Sequence, residues 1–270
     1  YQLRYRVHGL LQKEDLVFSK FVAADLLRRI KILCALDTTC DTKPQEGAFS
    51  KNLGDEKLRF RVSLIPQYFG EKVVLRIFEN KKVTKDTFSN LGLLKEQDLM
   101  LKRYLGLSSG VIILSGPTGS GKTSLLYAAL SHLEREWKNI VSLEDPVEQV
   151  LDNINQLELK TKESYADLLE ALLRQDPDVL MLGEIRSPEV AKTALSASLT
   201  GHLVLSTVHA DNALEVFSRF REFGISEDLL ASSLKLVSSQ RLVQLNCESC
   251  ITEEKAKDFL KKFFAIEEDI

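Results

Sequence analysis

The sequence predicts an α/β fold built on a largely parallel sheet and preceded by a smaller α+β unit. Between residues 111 and 206, short apolar runs alternate with helix-period segments, the pattern of strands joined by crossover helices. One of these runs, Val111-Ile112-Ile113-Leu114, passes straight into a glycine-rich turn that closes on Lys122-Thr123, as a strand–turn–helix unit would. The first 80 residues instead combine period-two strands with one amphipathic helix.

In chain order, Leu3, Tyr5 and Val7 alternate with Arg4 and Arg6, so the first seven residues read as a strand and Val7-His8-Gly9-Leu10 as a hairpin turn. The chain starts without Met and already inside that strand, which predicts a fragment of a longer protein. A helix is expected near residues 20–36, with Phe21, Ala24, Leu27, Ile30 and Ile32 apolar, followed by a polar loop from Asp37 to Asp55. Residues 58–64 and 72–78 read as an antiparallel pair across the turn Gln67-Tyr68-Phe69-Gly70. The polar run from Glu79 to Asp86 is the linker, which divides the chain into an N-terminal α+β domain, 1–84, and a second domain, 85–270.

In the second domain, strands are expected at 111–114, 140–143, 179–182 and 203–206, with helices at 122–136, 164–174 and 188–199. Ser187-Pro188 supplies an N-cap and a first-turn proline, with Gly201 beyond the far end, and Ser164-x-x-Asp167 resembles a capping box. From Asp211 onward the pattern reads as helical, with Gly224 as a stop and Ser226 as the next cap.

Composition narrows the class. Lys and Arg number 36 and Asp and Glu 39, a net charge of −3, so bulk charge argues against a nucleic-acid partner. The four cysteines are too few and too unevenly spaced for a secreted disulfide framework and fit a reducing cytosol. No apolar run approaches the roughly 20 residues of a membrane span, so any membrane role must run through partners.

The glycine-rich turn is a phosphate cradle. Gly116, Gly119 and Gly121 let backbone N–H groups turn inward within Gly116-Pro117-Thr118-Gly119-Ser120-Gly121, while the following helix adds its positive end and Lys122 a point charge. Thr123 is placed to offer its hydroxyl to Mg²⁺. Hydrolysis of a bound nucleotide further needs acids that organise metal or water, and two acidic positions fall at strand ends: Glu144-Asp145 and Glu184. A strand with a histidine at each end, His202 and His209, is expected to bring both side chains to that same rim.

Four segments, G-P-T-G-S-G-K-T, L-E-D-P-V-E, R-Q-D-P-D-V-L-M-L-G-E-I-R and T-G-H-L-V-L-S-T-V-H, resemble the Walker A, Asp box, Walker B and His box of the secretion-superfamily traffic ATPases. That family drives type II secretion, type IV pilus assembly and retraction, and competence DNA uptake. The resemblance runs from about residue 56 to residue 245. It implies a RecA-like P-loop core with a PAS-like N-terminal domain, ATP and Mg²⁺ as ligands, and a homo-hexameric ring acting on an inner-membrane platform protein from the cytoplasmic side.

Carried over by residue, the resemblance makes Glu184 the base that activates water, Glu144 a support for metal or water, and His209 the His-box histidine. It makes Arg61 and Arg76, in R-F-R-V-S-L-I-P and G-E-K-V-V-L-R, the arginines that reach the γ-phosphate; Arg59 shares their face and is a weaker candidate. Cys247-x-x-Cys250 resembles the first half of a tetracysteine zinc module. A structural zinc needs four ligands and no second pair occurs before Ile270, so zinc is expected only in a longer chain. The half-module favours the export branch over retraction ATPases. A competence pseudopilus ATPase is the alternative within the family. A nucleic-acid translocase and a non-hydrolysing nucleotide-gated scaffold are the alternatives outside it.

Overall fold

The computed structural model describes residues 1–7, 10–54, 56–79, 88, 91–133, 137–159, 164–243 and 249–252. The expected hairpin turn at His8-Gly9, most of the expected linker and the boundary near residue 85 lie outside the described residues. Strand β1 (Gln2–Val7) pairs antiparallel with β2 (Leu10–Val17). Helix α1 (Lys20–Leu33) follows, opened by Ser19, whose hydroxyl accepts the Val22 N–H at 3.3 Å. Strands β3 (Gln45–Leu53), β4 (Glu56–Gln67) and β5 (Gly70–Glu79) form an antiparallel sheet in that order.

One face of this sheet packs on α1: Val62 and Leu64 are fully buried against Leu27, and Phe60 stacks on Phe49 at 4.7 Å. The expected loop from Asp37 to Asp55 therefore contains a strand. Its inward positions are Gln45, Gly47 and Phe49, and two of the three are not apolar, so the period-two signal is nearly silent. Gly47 is needed there, since a Cβ would lie 2.7 Å from Cys34 Cβ at the end of α1. The apolar face of α1 also differs from expectation. Its buried stripe is Ala23, Leu27 and Lys31, spaced by four, which leaves Phe21 on the outside and 85% exposed.

The second sheet has six parallel strands in the order β11-β6-β10-β9-β7-β8. These are β6 (Gly110–Ser115), β7 (Ile140–Glu144), β8 (Asn155–Glu158), β9 (Val179–Leu182), β10 (Leu203–Val208) and β11 (Leu234–Ser239). Around them lie α2 (Lys95–Leu105), α3 (Lys122–Leu133), α4 (Tyr165–Leu173), α5 (Pro188–Leu199), α6 (Ala213–Glu222) and α7 (Glu227–Ser233).

Both faces of the sheet are covered, which is why its central strands read as unbroken apolar runs. Val111, Ile113, Val204, Leu180 and Leu182 face α4, α5 and α6, while Ile112, Leu114, Leu205 and Met181 face α2 and α3. The caps read from the sequence are present. Ser164, Ser187 and Ser226 accept the N–H groups of Asp167, Val190 and Leu229.

The helical expectation beyond Asp211 holds for α6 and α7 but not for β11, which pairs with β6 instead. Leu230, Ser233, Leu234 and Val237 sit at helical spacing, so sequence periodicity carries the helix past its true end. Among the described residues, no helix is long and apolar enough to cross a membrane.

Candidate active site

The cradle forms where β6 gives way to α3. Gly116, Gly119 and Gly121 adopt φ of 136°, 77° and 87°, a region that side chains disfavour. At Gly116 the packing is equally restrictive: a Cβ would stand 2.4 Å from the Gln240 carbonyl and 2.8 Å from Ser120 Oγ. Lys122 Nζ donates to the carbonyls of Gly116 at 2.7 Å and Pro117 at 2.9 Å, which holds the ammonium inside the loop. Burial pulls the Lys122 ammonium below the ordinary lysine range; the charge of Glu184 opposes this and that of Arg241 adds to it. Among the described residues, the buried Ser120 hydroxyl has no hydrogen-bond partner. Pro117, Thr118 and Gly119 are exposed at the rim.

Glu184 follows β9 and is fixed from both neighbouring strands. Gly183 N–H donates to Leu143 O at 2.9 Å, Ile185 N–H to Thr207 O at 3.0 Å, and Thr207 Oγ1 to Gly183 O at 2.8 Å. Its carboxylate takes Arg186 Nε at 2.7 Å and lies 3.2 Å from His209 Nε2; Arg186 also stands 3.5 Å from Asp145. The cradle lysine, Glu184 and His209 therefore converge at the carboxyl ends of β6, β9 and β10, where ligands of parallel sheets collect.

Glu144, the last residue of β7, turns inward. It is buried and receives Tyr127 Oη at 2.5 Å, Ser142 Oγ at 2.6 Å and Gln156 Nε2 at 3.1 Å. Burial, then the neighbouring charge of Glu144, pushes the Tyr127 phenol well up, so it stays a donor. Tyr127 in turn accepts the N–H groups of Glu148 at 3.0 Å and Gln149 at 3.3 Å.

The sequence gives Glu148 no role, yet it lines the same cavity as Thr123, the expected Mg²⁺ ligand. Burial by the surrounding protein raises the Glu148 carboxyl and Glu144 raises it further; Arg76 and Thr123 act in the opposite sense. The signal was available, since Glu148 closes the same L-E-D-P-V-E segment four residues beyond Glu144. A cavity of about 270 Å³ is lined by Thr123, Glu144, Glu148, Glu184, Arg186 and Thr207, among others, with Glu144 at its buried wall.

One expectation is corrected. His202 precedes β10 and His209 follows it, so the two lie at opposite edges of the sheet, about 23 Å apart at strand rise. His202 Nδ1 lies 2.9 Å from Ala197 O and 3.2 Å from Thr200 Oγ1, and it closes the end of α5 rather than facing the acids.

The three candidate arginines, Arg59, Arg61 and Arg76, share the face of the β3-β4-β5 sheet opposite α1, with Arg61 directly across from Arg76. Arg76 bears on Glu148. Arg61 is exposed and stands 3.5 Å from Glu46. Arg59 crosses to the six-stranded sheet: Nη1 donates to Val147 O at 3.0 Å, and Nη2 to both oxygens of Glu158 at 2.7 and 2.9 Å. Of the cysteine pair, Cys250 is an exposed thiol and Cys247 lies outside the described residues.

A sequence profile described as "Type II/IV secretion system protein" matches residues 1–268. The chain belongs to this family. Its relatives include type II secretion system protein E of Klebsiella pneumoniae, 42% identical over 94% of this chain and 51% of that protein. Type II secretion system ATPase E of Vibrio cholerae is 39% identical over 97% of this chain and 52% of its own length. The chain thus spans about half the length of the curated relatives it matches. Among solved structures, the pilus retraction motor PilT with bound ADP has a TM-score of 0.66 at 26% identity, covering 89% of this chain and 71% of that one. The Legionella pneumophila ATPase DotB superposes with a TM-score of 0.72 at 22% identity, over 90% of this chain and 72% of its own, a likeness of fold. The α/β fold expected from the sequence is the fold these solved structures share with the chain.

Proposed function

We propose that this member of the type II/IV secretion family hydrolyses ATP in the cleft between its two domains and so powers a secretion or pilus-assembly motor. The observation that carries the proposal is the grouping at the carboxyl ends of the parallel sheet: Lys122 held inside the cradle, with Thr123, Glu148 and Glu184 lining one cavity beside it, and the charge of Arg76 acting on Glu148. The loop N–H groups and the start of α3 bind the phosphates, and Lys122 exchanges its loop carbonyls for phosphate oxygens. Glu184 accepts the proton of the attacking water, held in place by Arg186 and His209. Arg76, with Arg61 beside it, adds guanidinium charge where negative charge develops on the transferred phosphoryl group.

Mg²⁺ takes hard oxygen ligands, and the Thr123 hydroxyl with Glu148 beside it fits that preference. Bound there, the ion would neutralise phosphate charge. Glu144 serves in this scheme as the buried anchor of the connection that carries Glu148, because three donors already occupy its oxygens. A homo-hexameric ring and a membrane platform partner belong to the same proposal. Their support is the kinship with type II secretion E proteins and with PilT.

Phosphate release from ATP by the purified chain is the test, with Lys122→Ala as the control. Losing one charge-assisted contact of about 3 kcal/mol weakens ATP binding on the order of 100-fold. Wild-type affinity and turnover in that variant would overturn the assignment of the cradle.

A further inference from the structure

The expected role of the first-domain arginines concerns phosphate, and Arg59 does something else. Its guanidinium joins the beginning of the connection after β7 to the end of β8. Val147, whose carbonyl it holds, immediately precedes Glu148. Glu158, whose carboxylate it holds, ends β8 and is the register partner of Glu144 at the end of β7. The chain leaves β7 at Glu144 and enters β8 at Asn155, beside Val141, so Glu158 at the far end of β8 comes to lie next to Glu144, and a single side chain from β4 ties the start of the connection to the end of the strand it leads into.

The same connection is already fastened from the inner side. Tyr127 accepts the Glu148 and Gln149 N–H groups, Leu151 N–H donates to Gln156 Oε1 at 2.7 Å, and Gln156 Nε2 donates to Gln149 O at 2.9 Å. Arg59 supplies the outer fastening. It also sets the placement of its neighbours: Arg61 lies two residues on along β4, about 7 Å away on the same face, with Arg76 directly opposite. Seating Arg59 on Val147 therefore fixes how far Arg76 reaches towards Glu148. Arg59 and Glu158 are both about one-third exposed, with side-chain values of 33% and 37%, so screening leaves their Coulomb attraction modest. Its worth lies in the forked geometry, which an ammonium cannot reproduce.

We propose that Arg59 is a positioning residue, an interdomain clamp that fixes the Glu148-bearing connection and Arg76 in one arrangement. The clamp lets the cleft assemble only when the two domains are seated on each other. This rests on the reading of the cleft as an ATP-hydrolysing site, and the test is built to separate the two.

Amide hydrogen exchange at Val147 to Leu151 and steady-state ATP hydrolysis are measured on the full chain for wild type, Arg59→Ala, Arg59→Lys and Glu158→Gln. The clamp predicts faster exchange at Glu148 and Gln149 in Arg59→Ala. It also predicts a kcat lowered about 10- to 100-fold, the cost of misplacing a reacting group, with KM for ATP moving less than about threefold. Arg59→Lys keeps one of the two contacts and recovers part of both effects. Glu158→Gln leaves an acceptor on a strand end, serves where Arg59→Ala folds poorly, and gives a smaller change of the same sign.

Unchanged exchange in both Arg59→Ala and Glu158→Gln overturns the clamp, whatever the activity. A change in KM alone also overturns it. Faster exchange in a protein whose wild type does not hydrolyse ATP keeps the clamp and removes the ATPase reading.

Discussion

Glu144→Gln distinguishes a buried anchor from a group that acts on the nucleotide, and its consequences can be worked from the contacts. In the wild type the carboxylate accepts three hydrogen bonds, from Tyr127, Ser142 and Gln156, and has no donor to offer. The amide that replaces it presents one N–H₂ group. Pointing that group at Tyr127 is the worse choice, because the phenol oxygen already accepts two backbone N–H groups and its own proton would lose its acceptor. The better orientation points it at Ser142, whose hydroxyl can rotate to accept. Gln156 Nε2 then faces a donor, and the remaining bonds lose their charge assistance. One buried polar group left unmatched costs about 1–3 kcal/mol. For a domain of this size that lowers the melting temperature by about 2–10 °C. Urea unfolding followed by far-ultraviolet circular dichroism measures the loss directly. Stability within about 0.5 kcal/mol of wild type, combined with lost hydrolysis, would refute the anchor and return Glu144 to the nucleotide.

Two further substitutions test the placement of other groups. Gly116→Ala puts a Cβ 2.4 Å from the Gln240 carbonyl at a φ of 136°, so nucleotide titration should show binding weakened by about 10-fold or more, together with a lower unfolding midpoint. His209→Ala should lower kcat by about 10-fold or more because Glu184 loses a partner that holds it. His202→Ala should leave kcat unchanged and cost about 1 kcal/mol of stability, the worth of its bond to Ala197 O. Equal effects of the two histidine variants on kcat would contradict the opposite-edge geometry.

What could be read from the sequence follows from where each signal is stored. The cradle is contiguous, so its glycines and Lys122 identify it without any tertiary information, and the strands that lead to it are apolar because both sheet faces are covered. Glu184 and His209 were also within reach, since both follow central strands. The opposite placement of His202 and His209 follows from strand direction alone and needed no structure.

Other features depend on partners far along the chain. Glu144 and Glu148 belong to one short segment, and nothing local says that Tyr127, Ser142 and Gln156 capture the first and leave the second beside Thr123. Period two places Arg59, Arg61 and Arg76 on one face but is silent about which of them meets the second domain. Strand β3 is hidden because Gln45 and Gly47 occupy its inward positions, and β11 because Leu234 and Val237 continue a helical spacing.

The central claim is that the cleft between the domains hydrolyses ATP with Glu184 as the base. Glu184→Gln tests it most directly, by measuring ATP binding and phosphate release on the same preparation. The account predicts ATP affinity within about threefold of wild type and phosphate release slowed by about 10² to 10⁴-fold. Phosphate release at the wild-type rate, in a variant that binds ATP normally, would contradict it.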